Sequence, residues 1–241
     1  MLLSLPLTSP TLTTRRLPPL PRSFYARDPR VVARDLLGKL LIRRDRRLLL
    51  AGRIVEAEAY LGAIDPGAHA YRGQTPRNAV LFGPPGHAYV YFIYGNHYCT
   101  NISCHPPGDP GSDPGSRAGS NARSYEGCRA GCVLLRALEP VCGLETMSTL
   151  RGLPFTSNPR PSQLRLLTSG PGRLSQALDI TRDRDNAKDL CSPASDLYIA
   201  DDGAPAPPVS ATPRINVTSA PLDQWRFVIT GNPFPSGKRL P

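Results

Sequence analysis

Apolar and polar residues alternate most regularly over residues 53–61, RIVEAEAYL. One set of alternate positions carries only apolar residues, Val55, Ala57, Ala59 and Leu61. The other set carries Ile54, Glu56, Glu58 and Tyr60. Successive side chains of a β-strand point to opposite faces, so this pattern predicts a strand that places both carboxylates and the tyrosine on one face.

Three further segments have the composition of strands. AYVYFIYG, residues 88–95, is rich in aromatic and β-branched residues and ends at a glycine, and residues 99–103 follow as its expected partner. CVLLRALEP, residues 132–140, is predicted to be a strand in which Leu134 and Arg136 share a face. QWRFVIT, around Trp225, is predicted to be the closing strand.

Helical spacing predicts a helix over residues 29–42, with Asp28 as its cap and Pro29 at its first position. Further helices are predicted over 139–150 and 171–180. Residues 62–80 and 201–213 read as loops. Strands and helices without regular βαβ alternation indicate an α+β protein with a mainly antiparallel sheet.

The chain has 241 residues, enough for one large domain. Residues 1–22 contain no acid and are rich in Leu, Pro and Thr, which is typical of a disordered tail. A domain is predicted over 23–231, with a flexible Pro/Gly/Ser-rich insertion at 105–127 and a C-terminal tail at 232–241. No apolar run approaches the length of a membrane span, so we expect no membrane partner.

The formal net charge of +10 and the pI of about 9.7 suit a polyanionic partner such as nucleic acid. Arginine far outnumbers lysine, so genome composition explains the charge equally well. The six cysteines are expected to be free thiols in a reducing compartment, because the N-terminus makes a poor signal peptide. The alternative, a zinc site, would use Cys99, Cys104, Cys128 and Cys132, whose spacing differs from that of zinc ribbons.

Six residues are candidates for chemistry: Glu58, Tyr60, His69, Tyr91, Asn101 and Arg136. Each has an ordinary structural reading, since a strand glutamate is usually solvated and a lone histidine is usually a hydrogen-bonded structural residue. The order of the sequence blocks that contain these residues is stronger evidence of function than any one of the residues. VEAEAYLG, GAHA, QTPRN, YVYFIYG, CTNIS and CVLLRALEP together resemble the alkyladenine (3-methyladenine) DNA glycosylase family, from about Ser23 to Phe227.

The resemblance implies a single compact mixed domain with a curved, mainly antiparallel sheet and flanking helices. It implies a monofunctional glycosylase that flips alkylated or deaminated purines out of double-stranded DNA and hydrolyses the N-glycosidic bond. Glu58 matches the carboxylate that activates water, and Arg136 matches the residue that positions that water. Glu56 matches no catalytic position and is interpreted as structural.

The resemblance also assigns the binding residues. The base would be held by Tyr60, His69, Tyr91, Asn101 and Leu134. DNA would be contacted by Tyr94, as a wedge in the vacated stack, and by Thr75 and Arg77 at phosphates. No metal or cofactor is implied, because water is the nucleophile.

Two other functions are open to a sequence of this kind. A glycosylase with lyase activity needs an amine nucleophile, but Lys39, Lys188 and Lys238 lie outside the pocket motifs, so no strand cleavage is expected. A non-catalytic binder of damaged DNA would keep the aromatics and arginines without needing Glu58. We expect an intracellular monomer, in the cytoplasm and nucleoid of a bacterium or the nucleus of a eukaryote.

Overall fold

The structure, a computed structural model, describes residues 16–45, 48–93, 95–105, 130–219 and 222–237. Within these ranges no helix is both long enough and apolar enough to cross a membrane. The predicted wedge residue Tyr94 lies outside them, as do Cys128, residues 1–15 of the predicted tail and nearly all of the predicted insertion.

The centre of the fold is one curled antiparallel sheet of eight strands. Its strands are β1 (Leu40–Arg44), β2 (Leu49–Tyr60), β3 (Ala88–Ile93), β4 (His97–Cys104), β5 (Gly131–Cys142), β6 (Leu197–Ala200), β7 (Val209–Thr212) and β8 (Arg226–Ile229). The order along the sheet is β3-β4-β5-β2-β1-β6, while β8 pairs with β2 and β7 pairs with β8.

Strand β2 occupies the middle of this sheet because it has partners along both edges. One edge pairs with β5, where Glu58 lies opposite Leu134. The other edge pairs with β1 over its first half and with β8 over residues 56–58. The predicted acidic strand is therefore confirmed, and its carboxylates lie at the most enclosed part of the sheet.

Six α-helices flank the sheet within the described ranges: α1 (Arg22–Tyr25), α2 (Pro29–Leu36), α3 (Leu144–Leu150), α4 (Pro161–Thr168), α5 (Pro171–Ala177) and α6 (Arg182–Asp185). Two short 3-10 helices, Gly62–Ile64 and Ala79–Phe82, lie in the loops between β2 and β3. The apolar face of β2 packs with α2 and α5 in one core that includes Val55, Ala57, Ala59, Leu36 and Leu174. The predicted α+β class, with a curved antiparallel sheet and flanking helices in one compact domain, is confirmed.

The helix predicted over 29–42 is correct only as far as Leu36. Its start is as predicted, since the Asp28 carboxylate accepts a hydrogen bond from the Arg30 backbone N–H at 2.7 Å. Gly38 then adopts φ +88°, and residues 40–44 form β1 instead of continuing the helix. The Leu-rich run satisfied both patterns, and pairing with β2 decided between them.

The helix predicted over 139–150 was also wrong in its first part. Strand β5 continues to Cys142, and Gly143, at φ +80°, turns the chain into α3. The predicted helix over 171–180 is present but ends at Ala177. The expected loop at 201–213 contains the short strand β7. Helices α1, α4 and α6 and strand β6 were not predicted, because each is short or lacks a long periodic pattern.

Both chain ends contact the domain where they are described. Leu20 donates its backbone N–H to the Ile199 carbonyl at 2.8 Å, which attaches the end of the predicted N-terminal tail to β6. Phe234, in the predicted C-terminal tail, is buried in the main core. The described cysteines, Cys99, Cys104, Cys132, Cys142 and Cys191, are all free thiols.

Candidate active site

A cavity of about 440 Å³ opens beside the acidic strand. This volume falls within the range of ~300–1,000 Å³ that is usual for small-ligand sites. Its walls come from the end of β2 and the loop after it, from strands β3 to β5, from the start of α5 and from the loop that follows β7. The lining residues include Tyr60, His69, Tyr89, Tyr91, Asn101, Leu134, Arg136 and Ile215.

Glu58 is fully buried and is hydrogen-bonded to three residues that line the cavity, Tyr60, Arg136 and Ile215. The Tyr60 hydroxyl donates to its Oε2 at 2.9 Å, and Arg136 Nη1 donates to the same oxygen at 3.2 Å. The Ile215 backbone N–H donates to Oε1 at 2.8 Å. A carboxylate has about four acceptor positions, so these bonds leave one, on Oε1, without a partner among the described residues.

Glu56 and Arg136 extend this group into a buried charge cluster. Arg136 Nε donates to Glu56 Oε1 at 3.1 Å, and Arg226 Nε donates to the same oxygen at 2.6 Å. Burial acts to lower the pKa of the Arg136 guanidinium, but the charges of Glu58 and Glu56 outweigh it and raise that pKa. Arg136 therefore remains a cation between two carboxylates.

Aromatic rings form part of the cavity wall. The His69 and Tyr91 rings meet edge to face, with centroids 4.6 Å apart, and the Tyr89 ring lies 5.3 Å from that of Tyr91. Burial, together with the charge of Glu58, raises the pKa of the Tyr60 phenol, so it stays protonated and donates to the carboxylate. The predicted trio Tyr60, His69 and Tyr91 is thus gathered at one cavity.

Tyr89 is a member of this wall that sequence reasoning missed. Its hydroxyl lies 2.9 Å from His69 Nδ1 and fixes the plane of the imidazole. Burial raises the pKa of Tyr89 to about 12. Burial and the nearby Arg77 charge lower the pKa of His69, so the imidazole is neutral at pH 7. The alternating pattern of β3 could have identified Tyr89, because it shares the face of Tyr91.

Asn101 and Leu134 meet on adjacent strands at the back of the cavity. They are register partners between β4 and β5, and both line the cavity wall. The Asn101 side-chain amide donates to the Tyr89 carbonyl at 3.1 Å, which holds the side chain in place. Both predicted residues therefore line the same cavity as Tyr60, His69 and Tyr91.

Thr75 and Arg77 lie on the loop that also carries His69. This loop is fixed by Asn78, whose side-chain amide donates to the His69 carbonyl at 2.9 Å and whose Oδ1 accepts from the Thr75 N–H at 2.6 Å. The Arg77 guanidinium lies 5.3 Å from the centre of the Tyr91 ring. Gly95, next to the predicted wedge Tyr94, has φ +71°, a conformation that glycine adopts without strain.

Arg214 joins two walls of the cavity and was not predicted. Its side chain is fully buried and forms two bonds with the Asp65 carboxylate, at 2.6 and 2.9 Å. Its guanidinium lies 4.6 Å from the Tyr60 ring centre and 4.8 Å from that of Trp225. The next residue, Ile215, supplies the N–H that binds Glu58. Arg214 is about 150 residues from its partners, so no local sequence pattern could have identified it.

Among the described residues, no group of three or more His, Cys, Asp or Glu side chains is arranged to hold a metal ion. The proposed zinc ligand Cys128 lies outside those residues. Cys99 and Cys132 line the cavity instead, and burial raises the pKa of the Cys132 thiol to about 12.

Comparison with known proteins identifies relatives over nearly the whole chain. The family model for methylpurine-DNA glycosylase matches residues 23–112 and 119–233. Three relatives carry the provisional name 3-methyladenine DNA glycosylase. The Koribacter versatilis protein is 54% identical over 230 residues, which cover 95% of this chain and 99% of that protein. The Burkholderia lata protein is 44% identical over 90% of this chain and 91% of its own length.

The third relative, from Alkaliphilus oremlandii, is 40% identical over 91% of this chain and 99% of its own length. The first matched segment contains Glu58 and His69, and the second contains Arg136 and Ile215. By the extent of these matches, the chain belongs to the methylpurine-DNA glycosylase family.

Proposed function

We propose that this protein is a monofunctional DNA glycosylase that hydrolyses the N-glycosidic bond of alkylated or deaminated purines. The observation that carries the proposal is the Glu58 carboxylate, held by Tyr60 and Arg136 directly behind an aromatic-lined cavity. Membership of the methylpurine-DNA glycosylase family supports the same reaction class.

The substrate nucleotide must leave the duplex before this site can act on it. The sugar C1′ is inaccessible inside stacked DNA, and flipping a nucleotide out costs a few kcal/mol. In our proposal Tyr94 fills the space that the nucleotide vacates and so offsets part of this cost. The φ of +71° at Gly95 supports a sharp turn next to that side chain.

The cavity favours a damaged base by its electronic character. Alkylation at N3 or N7 leaves a purine with a positive charge, and aromatic faces hold a cation better than a neutral ring by ~0.5–2 kcal/mol. Tyr60, His69 and Tyr91 are the proposed stacking partners. Asn101 and Leu134, at the back wall, would limit which substituents on the purine edge can enter.

Glu58 is proposed to act as the general base. The partner-free acceptor position on Oε1 would take a hydrogen bond from water, and the carboxylate would then accept that proton as the water oxygen attacks C1′. The electron pair of the glycosidic bond leaves with the purine. Arg136 would orient the water, and the carboxylate would stabilise positive charge that develops on the sugar.

No amine of the described residues is suited to lyase chemistry. Strand cleavage by such enzymes proceeds through a Schiff base on an amine nucleophile. Lys39 binds Asp201 and Lys188 binds Asp185 and Asp196, and neither lysine lines the cavity. Lys238 lies outside the described residues. We therefore propose base release without cleavage of the DNA backbone.

Thr75 and Arg77 are proposed to contact phosphates on DNA bound over the cavity, because their loop is held against His69 and Tyr91. Such contacts fix register and affinity without reading sequence. We propose that a monomer suffices, since one chain supplies every side chain of the cavity described above.

The test is release of free base from duplexes that each contain one 3-methyladenine, 7-methylguanine, hypoxanthine or ethenoadenine. The expected result is release of at least one of these bases, with strand breaks appearing only after alkali. Tight binding to the damaged duplexes without release of any base would instead establish the non-catalytic binder, and breaks before alkali would contradict the absence of lyase activity.

A further inference from the structure

We propose that Glu56 and the C-terminal residues 232–237 position the guanidinium of Arg136 for catalysis. This inference rests on the proposed function, because Arg136 is the residue that would orient the attacking water. It gives a role in the reaction to Glu56, which the sequence analysis interprets as a structural residue. It gives the same role to a segment that was predicted to be a tail.

Every nitrogen of the Arg136 guanidinium has a partner. Nε donates to Glu56 at 3.1 Å, Nη1 donates to Glu58 at 3.2 Å and Nη2 donates to the Ser236 hydroxyl at 3.3 Å. A guanidinium is planar and carries five N–H groups in a fixed fork, so three bonds in different directions define its orientation. Two N–H groups remain without a partner among the described residues, and Arg136 lines the cavity.

Glu56 is held more firmly than Arg136. Arg226 Nε donates to its Oε1 at 2.6 Å and the Ser236 backbone N–H donates to its Oε2 at 2.5 Å. Charge-assisted bonds of about 2.7–2.9 Å are usual, so the contacts from Arg136 are the long ones in this cluster. Glu56 is therefore the fixed element against which Arg136 is oriented.

Ser236 is brought to this cluster by a docked segment. Phe234 is buried in the main core. Arg226 Nη2 donates to the Ser236 carbonyl at 3.0 Å, and Arg165 Nη2 and the Ser169 hydroxyl donate to the Pro235 carbonyl at 3.1 and 3.3 Å. Pro233 and Pro235 restrict the backbone further, because the proline ring fixes φ.

Stability alone does not explain a cluster of this kind. Apolar side chains of similar volume often replace buried ion pairs with no loss of stability. Here the cluster contains two acids, Glu56 and Glu58, and two guanidiniums, Arg136 and Arg226. Arg136 bonds both acids, so its bond to Glu56 limits how closely it approaches Glu58. Without Glu56, the Arg136 guanidinium would turn toward Glu58 and lose the orientation in which it would hold the attacking water.

The test compares Glu56→Gln and Ser236→Ala with Asp185→Asn. Asp185 is as fully buried as Glu56 and pairs with buried Arg43, but it does not line the cavity. We expect the single-turnover rate of base release to fall by up to ~10²-fold in Glu56→Gln, because misplacement of a catalytic group by about 1 Å has an effect of that size. Ser236→Ala should lower the rate by less, and Asp185→Asn should lower only the melting temperature.

Unchanged rates in both Glu56→Gln and Ser236→Ala would overturn the proposal. Ser236→Ala removes one hydroxyl group only, so it is expected to fold even if Glu56→Gln does not.

A nuclear magnetic resonance readout separates this inference from the proposed function. In protein with ¹⁵N-labelled arginine, the Arg136 Nε–H signal should shift in both variants relative to wild type. If wild type released no base, the proposed function would fail, yet this signal would still decide whether Glu56 and Ser236 hold Arg136. An unmoved signal in both variants would contradict the proposal.

Discussion

The Glu58 carboxyl group is fully buried, and its removal from water has a physical cost that its neighbours must offset. Three donors do so: the Tyr60 hydroxyl, the Arg136 guanidinium and the Ile215 backbone N–H. A buried carboxylate without such partners would be strongly disfavoured. Glu58 is thus an acid held by three directed bonds, with one acceptor position on Oε1 that no described residue fills.

His69 provides a pH-dependent test at the same scale. Burial and the Arg77 charge lower its pKa, so the ring is neutral at pH 7 and gains a proton only in more acidic solution. A protonated ring would repel a cationic purine more than a neutral one. We expect the ratio of 7-methylguanine release to hypoxanthine release to fall as the pH is lowered below about 6.5.

This ratio removes effects that act on both substrates alike, such as titration of the general base. In His69→Gln the ratio should stay flat over the same pH range, measured as single-turnover rates. A ratio that falls equally in wild type and His69→Gln would contradict the role assigned to the imidazole.

The site could be predicted from sequence where its residues lie on one strand or in one motif. Alternation along β2 places Glu56, Glu58 and Tyr60 on one face, and the structure agrees. Ile54, predicted on the same face, packs instead in the main core, because the register with β5 shifts between Ile54 and Glu56. Arg214, Ile215 and Ser236 could not be predicted, because they bond Asp65, Glu58 and Glu56 from 149, 157 and 180 residues away. Their contribution depends on how β8 and the adjoining loops close over the sheet.

At the scale of elements, the Arg214–Asp65 pair connects the loop after β7 with the loop after β2. Removal of one partner from a buried ion pair typically costs about 3–5 kcal/mol, because the other charge is left unpaired. We therefore expect Arg214→Met to lower the free energy of unfolding by that amount, measured in urea. The fluorescence of Trp225, the sole tryptophan, reports on the same cluster because Arg214 lies against its ring.

The matched control is Lys39→Met, which removes a partly exposed pair with Asp201. Such pairs contribute about 0–1 kcal/mol, so this variant should unfold almost as wild type does. Equal stability of the two variants would contradict the stabilising role of the Arg214–Asp65 pair.

The errors in predicted elements have one cause. A run such as Leu36 to Ile42 satisfies the helical period and also the strand pattern, and only long-range pairing decides between them. Gly38 and Gly143, both at positive φ, mark the points where the chain changes from one element to the other. Elements with strict alternation, such as β2, were predicted well because no helix fits that pattern.

At the scale of the whole molecule, the net charge of +10 suits a polyanion, and DNA binding should depend strongly on salt. Each phosphate contact contributes about one unit to the slope of log K against log salt concentration. We expect Arg77→Ala to reduce the slope by about one unit, measured with a duplex that carries an abasic-site analogue.

Arg53→Ala is the control for this experiment, since Arg53 already forms an ion pair with Asp202. Its slope should equal that of wild type. If Arg77→Ala also kept the wild-type slope, the proposed phosphate contact would be wrong.

The most direct test of the central claim is the single-turnover rate of base release by Glu58→Gln. Glutamine keeps the size of the side chain but cannot accept a proton from water. The rate should fall by roughly 10²–10⁴-fold, the usual contribution of a general base, while affinity for abasic-analogue DNA stays at the wild-type value. Release by Glu58→Gln at the wild-type rate would contradict the account.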